Sequence, residues 1–413
     1  MKSYKVELNL NNKQASQCFL HCDAARFAYN WALAFRIKAY QENKIALNYY
    51  KINPVFNELK RTEKKWLYQV SKCVTQEAIR DLDKAYNNFF RKIKLNKTNK
   101  KKIKVGFPKF KSRKKCKYSF RLTGPIKIFS GKIQLPKLGK LRIYEKNYIP
   151  LDAKVLSATV SKHSDKWFVS ILVQEPSDKI EKEISSTKLI INEPRIVGID
   201  LGIKSLAVLS DGQVIENPKT LYRHTKKLRK YHKNLSRKKK GSWNREKAKK
   251  KLAREHFRVS QIRKDYIEKA TTAIIKQFNV IGLETLNVQG MMKNHHLAKA
   301  IQDASWGLFK RMLIEKASRN KVMIVAVDRF YPSSKTCSKC GVVKETLDLS
   351  ERTFFCEDCG FSLDRDLNAA INLSYVAQSS WETLNVCGDE IRLSLIGEHL
   401  SMKQDSEQDL ALG

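Results

Sequence analysis

The sequence predicts a multidomain α+β protein: an N-terminal β-barrel split by a helical module, then an α/β domain split by a small cysteine-rich ribbon. Three observations support this. The apolar period is two at the N-terminus, helical from about Lys13 to Ile93, and two again up to Gln174. From Arg195 onward, short apolar strands alternate with long helical stretches. Two Cys-x-x-Cys pairs then stand close together near the end.

Tyr4–Leu10 alternates apolar and polar residues and predicts the first strand. Leu20, Ala24, Phe27, Trp31 and Phe35 then recur at three- and four-residue steps, as do Ala78, Leu82, Ala85, Phe89 and Ile93. Residues 12–95 are therefore expected to be a helical module. The stretch Arg91–Arg121 holds fifteen Lys and Arg and no acid, with Phe107, Phe110, Tyr118 and Phe120 among them. Basic residues interleaved with aromatics suit a phosphate backbone and stacked bases. Ile126–Phe129, Lys132–Leu135, Leu141–Tyr144, Val155–Val160 and Trp167–Val173 read as short strands broken by turn residues. Together with the first strand they suggest a barrel formed by residues 1–11 and 96–180, followed by a polar linker at 181–194.

Ile196–Asp200 is an apolar strand running into an acid. Ser205–Leu209 and Gln213–Ile215, joined by Ser-Asp-Gly, predict a hairpin. Residues 219–277 are helical in period, with seventeen Lys and Arg between Leu221 and Arg258. Val280–Leu283 is a second apolar strand ending in an acid, Glu284. One long helix through Leu297, Ile301, Ala304, Leu308 and Met312, a strand at Val322–Val327 and a last helix from Asp366 to Val376 complete the prediction. The α/β domain is thus expected at 195–330 and 364–378, the ribbon at 331–363, and a disordered tail at 379–413.

Lys and Arg number 81 against 41 Asp and Glu, a net charge of +40. Self-repulsion of that size opposes compaction and points to a polyanionic partner, because each phosphate neutralised releases a counterion. MKSYKVELNL does not read as a signal peptide, and no apolar run is long enough for a membrane span, so an intracellular, membrane-free protein is expected. Nine cysteines, an odd number, argue against a disulfide framework.

Cys337, Cys340, Cys356 and Cys359 have the spacing of a closed four-thiolate site for one structural Zn²⁺. With no open coordination position, such a metal staples the ribbon and does no chemistry. Asp200, Glu284 and Asp366 are the candidate catalytic residues. The first two follow buried strand residues, where an unpaired carboxylate is costly, and their repulsion would be relieved by a divalent cation. Asp366 falls near the positive end of a helix dipole, with Asp364 as the expected N-cap. Three carboxylates in one pocket suit two Mg²⁺ ions.

GIDLGIKSLAVLSDG, IGLETLNVQGMMKN, IQDASWGLFKRMLIEKA, YPSSKTCSKCG and CGFSLDRDLNAAINL, in that order, resemble the TnpB family, the transposon-encoded ancestors of type V CRISPR nucleases. CDAARFAYNWALAFR and GFPKFKSRKK are similar to it too, and the resemblance covers residues 1–375 or so. It implies an RNase H-like (RuvC) nuclease with Asp200, Glu284 and Asp366 as its triad, a barrel serving as wedge domain and a helical recognition lobe. It further implies a noncoding guide RNA, double-stranded target DNA cut beside a short transposon-adjacent motif, a separate transposase encoded by the same element, and a prokaryotic cytoplasm or nucleoid. Lys72 and Gln76 match positions that read the adjacent motif, and Lys109, Lys111, Arg113, Lys114, Lys115, Arg237, Lys238 and Lys239 are further candidate nucleic-acid contacts. Competing readings are a nuclease-inactive RNA-guided repressor, a miniature type V CRISPR effector, a basic structural RNA-binding protein and a DNA-joining transposase. The first is disfavoured because all three acids are present.

Overall fold

The computed structural model describes residues 1–98, 103–113, 116–174, 193–348 and 350–386. The chain divides into two compact units, Met1–Lys188 and Leu189–Gly413. Most of the expected linker, Lys114, Lys115 and the tail beyond Val386 lie outside the described residues.

The first unit begins with β1 (Lys2–Asn9), whose Tyr4, Val6 and Leu8 are buried at the expected period of two. It pairs antiparallel with β5 (Gly139–Ile143) and β7 (Lys166–Gln174). With β2 (Ser119–Leu122), β3 (Lys127–Phe129), β4 (Lys132–Leu135) and β6 (Lys154–His163) it forms one seven-stranded sheet, in the order β2-β6-β7-β1-β5-β4-β3. The expected barrel is corrected here: among the described residues the sheet is open, with the short strands β2 and β3 at opposite edges. Its apolar face is roofed by helix residues instead of by itself, because Cys18, Cys22 and Val74 join Val6, Leu141, Val160, Val169 and Ile171 in one core.

Those helices are α1 (Asn12–Asn43), α2 (Tyr49–Thr62) and α3 (Lys72–Thr98). Asn11 and Gln14 form a reciprocal capping box that starts α1, satisfying two otherwise free backbone N–H groups. Ala24, Ala28 and Ala32 are fully buried on α1, while Phe27, Trp31 and Phe35 flank a core built on Phe56, Ile52, Ile79 and Leu82. Burying side chains of this size stabilises by about 1.5–3 kcal/mol each. His21 is fully buried and fully engaged: Nδ1–H donates to the Gln17 carbonyl at 2.7 Å, and Nε2 accepts from the Ser71 N–H that precedes α3.

The second unit is built on a five-stranded mixed sheet of order β10-β9-β8-β11-β12. β8 (Ile196–Asp200), β11 (Val280–Glu284) and β12 (Met323–Val327) run parallel, and β9 (Ser205–Leu209) is antiparallel to both β8 and β10 (Val214–Glu216). The predicted hairpin turns at Gly212, whose φ of +88° lies in the region glycine tolerates. The basic stretch forms α4 (Thr220–Ser236) and α5 (Trp243–Gln277). The single long helix expected after Glu284 is two helices, α6 (His295–Ala304) and α7 (Trp306–Asn320). Ser305 breaks it with φ +55°, a left-handed conformation that no continuous helix accommodates. The last helix, α8 (Arg365–Val386), runs ten residues past the predicted Val376.

On one face of this sheet Val197, Ile199, Ile281 and Leu283 pack with Ile267 and Ile274 of α5 and with Phe309 and Leu313 of α7. The other face is made to receive α8. Gly198 and Gly282 are paired across β8 and β11. A Cβ on Gly198 would lie 1.9 Å from the Ala370 carbonyl oxygen, and one on Gly282 2.3 Å from that of Leu373. Only glycine lets the helix backbone come this close to the strands. The architecture agrees with the multidomain α+β expectation and with an α/β second unit built on a mixed sheet.

Candidate active site

The glycine seat determines where the acids point. Side chains two apart on a strand share a face, so Asp200 lies on the face of Gly198, and Glu284 on that of Gly282. That is the α8 face, and Asp366 is in the first turn of α8. The structure therefore brings together three acids that are far apart in sequence. Asp200 is pushed up to about 7, mainly by burial, then by the negative charges of Asp366 and Glu284; Arg365 and the Leu201 N–H act against the shift. Burial also raises Glu284, against the pull of Lys310. Lys310, on α7, donates from Nζ to the Glu284 carbonyl oxygen at 2.5 Å, and burial lowers its own pKa. Asp364 accepts from the Asp366 and Leu367 N–H groups at 2.9 and 3.1 Å, as expected of the residue that caps this helix.

This donor set fits a hard divalent cation. Carboxylate oxygens are its preferred ligands, and its charge would offset the burial and the repulsion that together raise Asp200. The three groups are more loosely gathered than the four thiols, which are the cluster with ligand atoms all within 4.8 Å of one another among the described residues.

The cysteine site is built from two matching turns. Cys337 N–H donates to the Val342 carbonyl at 2.8 Å, and Cys356 N–H to that of Phe361 at 2.8 Å. Gly341 and Gly360 close the turns with φ of +81° and +67°. The Cys337–Cys359 and Cys340–Cys356 Sγ separations are 3.7 and 3.6 Å. Zn–S bonds of about 2.3 Å in a tetrahedron require S–S separations of about 3.8 Å, so the cluster fits one structural zinc. Burial raises the Cys337 thiol, but backbone N–H groups of Cys340 and Lys339 outweigh it and bring the pKa down to about 7, while Cys340 and Cys359 are raised, in part by the neighbouring sulfurs, so the thiolate is favoured at Cys337 alone of these three before a metal binds. The ribbon strands β13 (Thr353–Phe355) and β14 (Ser362–Asp364) run from this site directly into α8.

A protein of Streptomyces pristinaespiralis named "Putative RNA-guided DNA endonuclease" is 34% identical over 95% of this chain and 92% of its own length. The chain belongs to the TnpB family. A TnpB-family relative, the Escherichia coli "Putative RNA-guided DNA endonuclease InsQ", is 31% identical over 90% of this chain and 91% of its own length. Family profiles match residues 183–295 (probable transposase, the IS605 OrfB group), 306–373 (Cas12f1-like, TNB domain) and 1–44 (helix-turn-helix domain). The TNB match contains all four cysteines and Asp366. Residues 1–44 fold as one strand and one unbroken helix, without the turn that the third description names. A solved Cas12f1–sgRNA–target DNA complex aligns with 91% of this chain and 99% of that chain at 17% identity, with a TM-score of 0.35, too low to carry an argument.

The candidate nucleic-acid residues are placed unevenly. Lys72 is exposed at the start of α3 and Gln76 lies one turn on. Lys109 is exposed, while Arg113 pairs with Asp23 at 3.5 Å. Lys111 is half-buried: its ammonium sits 4.0 Å from the Tyr29 ring centroid, burial lowers its pKa, and its backbone is held at both N–H and C=O by the Asn30 amide. Arg237, Lys238 and Lys239 are exposed in the turn between α4 and α5. Of the aromatics in the basic segment, Phe120 is core and Tyr118 packs on Phe19, whereas Phe110 is 58% exposed.

Sequence reasoning missed Lys310, Arg365, Asn368 and Asn372. The two asparagines left a signal, an i, i+4 pair one helical turn apart; Lys310 left none. Among the described residues no helix is long and apolar enough to cross a membrane.

Proposed function

We propose that this chain is an RNA-guided, Mg²⁺-dependent endonuclease that cleaves guide-matched double-stranded DNA beside a short transposon-adjacent motif. The observation that carries the reading is the gathering of Asp200, Glu284 and Asp366 on the α8 face of the sheet, close enough for the other two charges to raise Asp200. The names of the Streptomyces and Escherichia coli relatives support the RNA-guided DNA-cleaving activity. Asp200, Glu284 and Asp366 would hold two Mg²⁺ ions, which supply Lewis-acid activation of water and stabilisation of the leaving oxygen when bound.

The chain's own groups do the rest. Lys310 anchors the end of β11 through the Glu284 carbonyl and places a positive charge beside that carboxylate. Arg365 lies 3.6 Å from Asp366 and offsets part of the negative charge felt by Asp200. Lys72 and Gln76 are proposed to read the adjacent motif. Lys109, Arg113, Arg237, Lys238 and Lys239 are proposed to hold phosphates, and a noncoding RNA and a separate transposase are the proposed partners.

The test is to sequence the RNA that copurifies with the protein, build a duplex matching its guide, and measure cleavage with and without Mg²⁺. The wild type should cut only with the ion, and Asp200→Ala should bind RNA normally but lose at least about 10³-fold in rate. Undiminished cutting by Asp200→Ala would refute the assignment.

A further inference from the structure

The acids at 200 and 284 end strands whose backbones are paired on either side, but Asp366 stands in the first turn of a helix, where backbone groups lack intrahelical partners and fraying begins. The Asp364 cap satisfies the Asp366 N–H, but the turn as a whole must still be fastened to the rest of the unit. Asn368 and Asn372, at 0% and 2% exposure, are buried between α8 and the segment leading into the first cysteine turn. Asn368 Oδ1 accepts from the Ser338 N–H at 3.0 Å, and its Nδ2 donates to the Thr336 carbonyl at 2.7 Å. Asn372 Nδ2 donates to the carbonyls of Ser333 at 2.8 Å and Thr336 at 2.7 Å. On the other side of Asp366, the Arg365 N–H donates to the Arg352 carbonyl at 2.8 Å, and Arg365 Nη1 reaches that of Asp348 at 3.3 Å.

The residues just before and two after Asp366 are thus fastened to the ribbon, and the ribbon is fastened to itself by its four cysteines. The side-chain chemistry suits the task. An amide offers a donor and an acceptor together, so Asn368 completes two backbone groups of the segment as a neighbouring strand would. It does so without adding a charge beside three carboxylates.

We propose that Asn368 and Asn372 are positioning residues: they lock the zinc ribbon onto the first turns of α8 and so hold Asp366 where it shares a cation with Asp200 and Glu284. This rests on the proposed role of the three acids. It gives the zinc ribbon a task beyond its own stability, because order at the cysteine site is passed through two amides to a carboxylate of the other metal centre.

The probe is Mn²⁺, a paramagnetic stand-in for Mg²⁺, titrated into the full-length zinc-loaded protein and followed by electron paramagnetic resonance. Asn368→Ala and Asn372→Ala should each weaken Mn²⁺ binding about tenfold, the low end for residues that orient metal ligands, while zinc stays at one per chain. Asn279→Ala, which removes an amide from the opposite end of the same sheet, should leave Mn²⁺ affinity unchanged. Stripping zinc from the wild type is a second route to the same weakening if an alanine variant does not fold. Unchanged Mn²⁺ affinity in both Asn variants, or equal weakening in Asn279→Ala, would overturn the positioning role. If wild type and Asp200→Ala bind Mn²⁺ alike, the carboxylate site itself is wrong, and the inference falls with it.

Discussion

The cysteine cluster and the carboxylate cluster are assembled by opposite means. The four thiols come from two short turns between Cys337 and Cys359, each closed by its own backbone hydrogen bonds and a left-handed glycine. The acids come from Asp200, Glu284 and Asp366, on two strands and a helix, and meet only because a sheet, a glycine seat and a helix fix them in place. A local centre can be read from spacing alone. A centre assembled over long range depends on packing, and residues that touch no ligand can destroy it.

The sharpest break between the two should come from the thiols. Replacing Cys337 and Cys340 with Ser should remove zinc altogether, forfeiting apparent binding energy on the order of 10–16 kcal/mol. Metal analysis should then find no zinc per chain; a retained equivalent would mean the cluster is not the site. The next largest effect should come from the glycine seat. Gly198→Val should push α8 off the sheet, costing about 3 kcal/mol or more and displacing Asp366, with zinc still bound. A denaturation midpoint and Mn²⁺ affinity both equal to wild type would show that the close approach does not matter.

The last effect concerns pH and is confined to the metal-free protein. Without divalent cations, the folded-state pKa of Asp200, about 7, lies above its ordinary carboxylate value. Folding then takes up a proton, so the destabilising contribution is absent below pH of about 4 and grows until pH passes about 7. At roughly 1.4 kcal/mol per unit, it reaches a few kcal/mol. Metal-free Asp200→Asn should therefore melt higher than wild type at pH 8 and equally at pH 4, and Mg²⁺ should raise the melting temperature of the wild type alone. Parallel melting curves at both pH values would remove the electrostatic basis of the carboxylate centre.

What the sequence revealed follows the same division. IVGID and VIGLE announced two acids at strand ends, and the glycine two places before each acid was visible, though its meaning as a seat was not. The cysteine turns were fully legible. The barrel was not, because strand periods show which face is apolar but not whether helices or the sheet itself will cover it; Cys18, Cys22 and Val74 do so here. The break at Ser305 was hidden because the apolar face continues across it from Ile301 to Leu313. Lys111 looked like its neighbours in a basic run, and only packing against Tyr29 sets it apart.

The unbroken course of α1 has one more consequence. Thirty-two residues at 1.5 Å each make a rod about 48 Å long, capped at Asn11 and ended by a left-handed Lys44. A helix-turn-helix reads bases by angling a second helix into a major groove about 12 Å wide while the first crosses the backbone. Residues 1–44 contain no second helix to angle. A helix-turn-helix mode of reading would therefore need its second helix from outside residues 1–44.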